Sequence, residues 1–365
     1  MEVQYLELCK QFNDDELWSK IKDVFSTCQF IMGPEVEAFE TSFARLCGVP
    51  YALGVNSGTD ALFLALKALG IGDGDEVITA PNSFIATTGA IVASGARPVF
   101  VDVGQDYNMD VNLIEPAITS RTKAIIPVHL TGYPADMPAI MDIAKKRGLY
   151  VVEDAAQAVS ASIQGKPVGS FGDIGCFSLH PLKNLNACGD AGALTTKSEE
   201  IYHKLKMLRN HGLKNRDEIE FFGYNSRMDT VQAIVALHVM KSLPDVIQKR
   251  CGNAARYEKG LHELAPEVII SPREKNFSHV FHTYIIQVKR RDKLAIYLAD
   301  KGVRTKVHYL LPIHLQKPCM DMGYKKGDFP VCEAQSKEII SLPIHQFLTD
   351  DQVEYVVSLL RRFYS

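Results

Sequence analysis

Five short apolar runs punctuate residues 51 to 154: Tyr51 to Val55, Glu76 to Ala80, Pro98 to Val101, Lys123 to Val128 and Tyr150 to Val152. None alternates apolar with polar side chains, as a strand with one wet face would. Such runs belong to strands covered on both faces. Helical patterns fill the gaps, notably Ala61 to Leu69 and Ala135 to Arg147. Strand and helix in strict alternation imply an α/β fold around a mainly parallel sheet with right-handed crossovers. In an open sheet of this kind ligands bind beyond the carboxyl ends of the strands. The residues just after each run are therefore where chemistry is to be sought.

The run Tyr150 to Val152 leads into Asp154 and Gln157. A later run, Ile174 to Leu179, carries Ser178 near its end, with Lys183 just beyond in a loop rich in Asn, Gly and Pro. Either charge alone reads as a helix cap or a solvated side chain. As a pair at neighbouring strand ends they mean more. A carboxylate there can hold a pyridine nitrogen protonated, and a lysine whose charge is disfavoured by burial can form an imine with an aldehyde. Those are the two protein groups that pyridoxal phosphate most needs. Ahead of the helix at Ala61, Asn56-Ser57-Gly58-Thr59-Asp60 forms a small turn whose free N–H groups sit at the positive end of the helix dipole. In isolation an ordinary cap by Ser57 or Thr59 explains this turn better, but beside a Lys183 loop it favours phosphate binding by Gly58 and Thr59. Gly70-Ile71-Gly72-Asp73-Gly74 follows a helix and precedes a strand, the reverse of the dinucleotide fingerprint, so it reads as a helix end and turn.

With 365 residues and 46% hydrophobic content the chain can bury one large core and a smaller one. Pro244 is expected to break a helix begun near Thr230, with a second helix running to about Leu264. This puts a boundary near 245: residues 1–245 form a large domain with amphipathic helices at 14–28 and 35–47, and residues 246–365 a small α+β domain. In the latter, a strand Val280 to Lys289 and helices Asp292 to Lys301 and Asp350 to Phe363 are predicted. The net charge of −3 and the lack of a basic run argue against a nucleic-acid partner. Eight cysteines form no C-x-x-C pair and no metal-ligand spacing with histidine, which suggests reduced thiols and no metal. No run has the length of a membrane span, and Glu2 and Glu7 stand where a secretory signal would be basic, so a soluble, cytoplasmic protein is expected. His262-Glu263 lacks the second histidine of a zinc protease motif.

Glu153-Asp154-Ala155-Ala156-Gln157-Ala158, Ser178 followed by Lys183-Asn184-Leu185, and Gly189-Asp190-Ala191-Gly192 resemble the signature of the DegT/DnrJ/EryC1/StrS aminotransferases, over nearly the whole chain. The resemblance implies the type I, aspartate aminotransferase-like fold of pyridoxal-phosphate enzymes and amination of a nucleotide-linked keto-sugar, with glutamate as donor. In that reading Lys183 forms the resting imine and then moves the proton, Asp154 keeps the pyridine nitrogen charged, and Gln157 holds the ring or its oxygen. Ser178 joins Gly58 and Thr59 on the phosphate, and Phe84 stacks on the ring. Phe30 to Pro34 falls near the active site. Asn225 in Gly223-Tyr224-Asn225-Ser226-Arg227 reaches the phosphate of a partner's site in a homodimer, with Arg227 ordering that loop. His308, Tyr309 and His314 fall in the family's substrate-side loop, though either histidine serves as well as a structural residue. The Lys183-Asn184-Leu185 and Gly189-Asp190-Ala191-Gly192 segments look more like enzymes aminating C3 of the sugar than C4, although His180-Pro181-Leu182 departs from the usual aromatic-Pro-Gly. Two alternatives remain: a dehydratase of the same family, which would carry His in place of Lys183, and a cofactor-binding regulator without turnover.

Overall fold

The computed structural model describes all 365 residues. Each expected run becomes a strand and each gap a helix: β1 (Tyr51–Val55), α3 (Gly58–Ala68), β2 (Glu76–Thr79), α4 (Ile85–Ser94), β3 (Arg97–Phe100), β4 (Thr122–Ile125), α5 (Met137–Arg147) and β5 (Tyr150–Asp154). Ahead of them lie α1 (Asp15–Thr27) and α2 (Pro34–Leu46). Then come β6 (Ile174–Ser178), β7 (Gly192–Thr196) and α6 (Glu199–Leu208). The seven strands form one sheet in the order β1-β7-β6-β5-β4-β2-β3. All pairings are parallel except those of β7, which runs antiparallel to both β1 and β6. The α/β expectation therefore holds, and the reversal at β7 is new. Because β7 is reversed, its first residue, Gly192, lies opposite the last residues of its neighbours, Val55 and Ser178.

The helix begun at Thr230 does not break. It continues as α7 (Thr230–Leu261) straight through Pro244. Its buried positions, among them Val239, Leu243, Val246, Arg250, Ala254, Tyr257 and Leu261, recur at three- and four-residue spacing on both sides of the proline, while Pro244 itself is exposed. Burial along one unbroken stripe outweighs a local cost of about 3 kcal/mol for an interior proline. The boundary expected near 245 thus falls inside a rigid element. The first half of α7 packs into a core with α1 and α2, and the second half into another made with residues 268 to 360. α7 is also the one helix long and apolar enough to span a bilayer, and its apolar stripe is what those two cores bury.

Around the far half of α7 sit an antiparallel sheet of β8 (Val268–Ile270), β9 (Tyr284–Val288) and β10 (Ile339–Leu342), and the helices α8 (Arg291–Asp300) and α9 (Asp350–Tyr364). α9 starts with a capping box between Thr349 and Gln352. The strand expected from Val280 is shorter, and β10 was not foreseen. The N-terminal residues join this layer: Val3 is fully buried in its core and bridges Val303.

Candidate active site

β1, β5 and β6 end at one rim, and each delivers a polar residue there. At the end of β1, Ser57 caps α3 by accepting from the Asp60 N–H at 3.0 Å, and the Ala61 N–H bonds the Ser57 carbonyl. The N–H groups of Gly58 and Thr59, in the first turn, have no carbonyl four residues back to bond within the helix, so they remain available to an anion. The Gly58 backbone abuts Ser178 so closely that an added Cβ would come within 2.7 Å of the Ser178 Cβ. Gly192 is equally confined, 2.3 Å from the Ser57 carbonyl oxygen by the same measure. Small residues at both positions let the α3 N-terminus and the Ser178 hydroxyl converge. Together they present amide and hydroxyl donors at one point of the rim. The alternatives of capping and anion binding turn out to be compatible, since Ser57 caps while Gly58 and Thr59 stay free.

Asp154 closes β5. Its Oδ2 accepts from Thr87 Oγ1 at 2.7 Å and its Oδ1 from the Ala156 N–H at 3.1 Å. Burial raises its pKa, while the Thr87 hydroxyl, the Ala156 amide and the charge of Lys183 act the other way. Lys183 follows β6 in a loop held by Asn186, whose amide donates to the Lys183 carbonyl at 2.9 Å, and by Asn184, which donates to Val280. The residue is open to the rim on one side, yet enough protein surrounds its amine to bring the pKa down to about 8, with Asp154 opposing the shift. A lysine so depressed is an amine that can give up its proton near neutral pH. Gln157 Oε1 is occupied by the Thr131 N–H at 2.8 Å, which leaves its amide hydrogens to donate. Phe84 precedes α4 with more than half its surface exposed, a large aromatic face kept out of the core.

His308 and Tyr309 reach the same rim from the opposite layer. The Tyr309 ring lies 5.9 Å from Phe84, and its hydroxyl, raised to about 12 by burial and the nearby Asp154 charge, sits beside Gln157. His308 Nδ1 is 2.8 Å from Ser341 Oγ, and burial together with Lys306 and Lys183 lowers its pKa to about 4, so the ring is neutral. His314 does not join them. It is wholly buried, with Nε2 3.0 Å from Glu333 Oε1 and its ring edge-on to Phe329. No part of that imidazole meets the rim, so its expected role on the substrate is corrected to a structural one.

Asn225 lies exposed in the loop before α7, its Oδ1 accepting from Arg227 Nε at 3.0 Å, while Arg227 also reaches Asn210 at 3.4 Å. Arg227 thus orders the Asn225 side chain. The loop is pinned to the rim of its own chain, since Arg227 bridges Val55 and Ser226 Oγ bonds Asn56. Phe30 to Met32 pairs with residues 228 to 230 at its base. Thr87 is a site residue that no sequence pattern singled out; it sits in the first turn of α4, 67 positions from Asp154. Behind the rim, Glu153 accepts from the amides of Gly169, Phe171 and Gly172 and faces buried His129 at 3.1 Å. The Ala135 N–H donates to His129 Nδ1, so the proton is on Nε2, directed at Glu153.

An acid and a depressed lysine at neighbouring strand ends, free N–H groups at a helix start beside them and an exposed aromatic packed on Tyr309, on this sheet, are those of a pyridoxal-phosphate-dependent aminotransferase of fold type I. Solved relatives carry that cofactor or its amine form. The chain belongs to the DegT/DnrJ/EryC1/StrS aminotransferase family, whose model matches residues 12–361. It is 43% identical over 352 residues to a UDP-N-acetyl-3-dehydro-alpha-D-glucosamine 3-aminotransferase of Acidithiobacillus ferrooxidans, covering 95% of this chain and 94% of that one. It is 40% identical over 368 residues to a pleiotropic regulatory protein of Geobacillus stearothermophilus, covering 100% and 99%. The crystal structure of S. venezuelae DesV in complex with a ketimine intermediate superposes with a TM-score of 0.97 at 38% identity, covering 100% and 99%.

Proposed function

We propose that this aminotransferase moves an amino group from glutamate to the C3 carbonyl of a nucleotide-linked keto-hexose. The observation that carries the reading is the Asp154–Lys183 pair facing a rim whose other wall is His308 and Tyr309. When bound, pyridoxal phosphate supplies an aldehyde carbon and an electron-accepting ring. Gly58, Thr59 and Ser178 would take its phosphate, Phe84 would lie against the ring, and Gln157 would donate to a ring oxygen. Asp154, fixed by the Thr87 hydroxyl and the Ala156 amide and with its pKa raised by burial, would face the ring nitrogen. Lys183 would hold and move a proton at its Nζ, a task suited to an amine whose pKa is about 8. Neutral His308 and the Tyr309 hydroxyl would hold the sugar by hydrogen bonds.

The preference for C3 over C4 rests on the Lys183 to Gly192 segment and on the 3-aminotransferase named above. We further propose a cytoplasmic homodimer in which Asn225 completes the partner's phosphate site. Phe84, Ile85, Leu182, Phe222 and Leu310, all large, apolar and exposed, supply surface for that contact. The Geobacillus relative favours a second reading, a cofactor-binding regulator. Intact Lys183 and Asp154 weigh against loss of turnover, and Lys183 likewise weighs against the dehydratase. The test is the reverse reaction on a panel of nucleotide-linked 3-amino and 4-amino sugars, with 2-oxoglutarate as acceptor and glutamate release as readout. Activity on 3-amino sugars is expected. Activity confined to 4-amino sugars overturns the C3 assignment, and a visible cofactor band that no amino acid bleaches favours the regulator.

A further inference from the structure

Arg250, on the far half of α7, is 3% exposed and has no carboxylate beside it. The other two buried arginines differ: Arg209 pairs with Glu40 and Arg291 with Asp292. Arg250 donates from Nη1 to the carbonyls of Phe281 at 2.9 Å and His282 at 3.3 Å, and from Nη2 to Gln346 at a long 3.5 Å, while its Nε has no partner. A guanidinium in this position is costly unless an anion meets it. Beside it opens a cavity of about 40 Å³, lined also by Tyr5, Leu182, Lys306 and His308. The Lys306 amine stands 5.0 Å over the Tyr5 ring, a second cation at the same opening. Tyr5 Oη, His282 Nδ1 and Thr283 Oγ1 are buried there without hydrogen-bond partners. Four residues with a polar atom that lacks a partner line one small space, with two cations and no acid among them, a lining suited to an anion.

Its location gives the ligand. Leu182 adjoins Lys183 in sequence, and His308 lines both this cavity and the approach to Tyr309. The charge of Lys183 is felt at both His282 and His308. We propose that Arg250, with Tyr5, forms the carboxylate site for the amino-acid donor, so that a carboxylate bound there carries the donor's amine toward Lys183. This rests on the glutamate reading above for the choice of donor. The planar guanidinium suits a carboxylate, which the unpartnered Nε–H and an Nη2–H given up from the long Gln346 contact can grip side by side. An acidic group on the sugar would satisfy the same chemistry, and the test separates the two sources.

Glutarate, a dicarboxylate with no amine to react, is titrated calorimetrically into the cofactor-loaded protein, and bleaching of the visible band by glutamate is followed without any sugar. Arg250→Met should weaken both glutarate binding and glutamate bleaching by about ten- to a hundredfold, the range for a lost charged hydrogen-bond pair. The unreacted band and the KM for the nucleotide-linked sugar should stay as they are. Arg250→Lys should recover part of the loss, and Tyr5→Phe should lose several-fold. Unchanged glutarate affinity in Arg250→Met overturns the site. A rise confined to the sugar's KM gives the anion to the sugar and overturns the donor assignment. Should Arg250→Met fail to hold cofactor, Tyr5→Phe decides, and full glutarate affinity there overturns the proposal. Wild-type protein that binds glutarate in an Arg250-dependent way but is not bleached by glutamate supports the site and overturns only the choice of glutamate.

Discussion

Lys183 is a poor place for a proton. Its pKa of about 8 in the folded chain, against 10.5 for an ordinary lysine, means that between those values the unfolded chain holds a proton the folded one has released. Stability of the cofactor-free protein therefore rises with pH across that window. Replacing Lys183 by Ala should abolish that part of the rise in chemical denaturation series at pH 8 and above, eliminate the visible band, and cut turnover by about 10² to 10⁴. Near wild-type turnover would remove Lys183 from the mechanism. Gly58 tests the cradle from the other side: Gly58→Ala places a Cβ against Ser178, so it should cost about 1–3 kcal/mol in stability and weaken cofactor retention during dialysis. Retention equal to wild type would mean the α3 N-terminus is not the phosphate anchor. These residues were legible in the sequence because each follows a strand directly, where the fold class itself says ligands bind. Thr87 was not, since its only link to the site is a contact across the fold. His314 misled for the converse reason, because a histidine buried on a glutamate and one facing a ligand look the same in one dimension.

At the scale of elements, the sequence pattern carried strand and helix identity well but misjudged continuity. Pro244 is a local signal and the apolar stripe of α7 a long one, and the stripe prevailed because it is buried at both ends by different cores. The proline still leaves the Met240 carbonyl without its donor four residues on. Pro244→Ala should therefore stabilise the protein by about 1–2 kcal/mol, an interior proline penalty reduced by the greater freedom of the unfolded chain. Thermal denaturation measures it, and a lower midpoint would mean that Pro244 stabilises the helix rather than straining it. The reversal of β7 was equally hidden. A five-residue strand reads the same in either direction, and only its pairing with Val55 and Ser178 reveals which way it runs.

For the whole molecule, the shared-site dimer makes a quantitative demand. Mixing Lys183→Ala with Asn225→Ala protomers should create heterodimers with one site defective in both residues and one site intact, so activity should reappear above that of either parent. A preparation that stays fully active as a monomer at every dilution would end the idea. The N-terminal segment raises a different matter. Val3 is clasped by Gly302 and Arg304, its N–H donating to the Gly302 carbonyl and its carbonyl accepting from the Arg304 N–H, and Tyr5 walls the cavity at Arg250. During synthesis these residues leave the ribosome some 300 positions before their partners exist. The large sheet can assemble while the leading segment waits, and the second layer seals only after nearly all the chain has emerged. The donor's wall would then be among the last surfaces to form, so a nascent or truncated chain could hold a finished phosphate cradle while having nowhere to seat an amino acid.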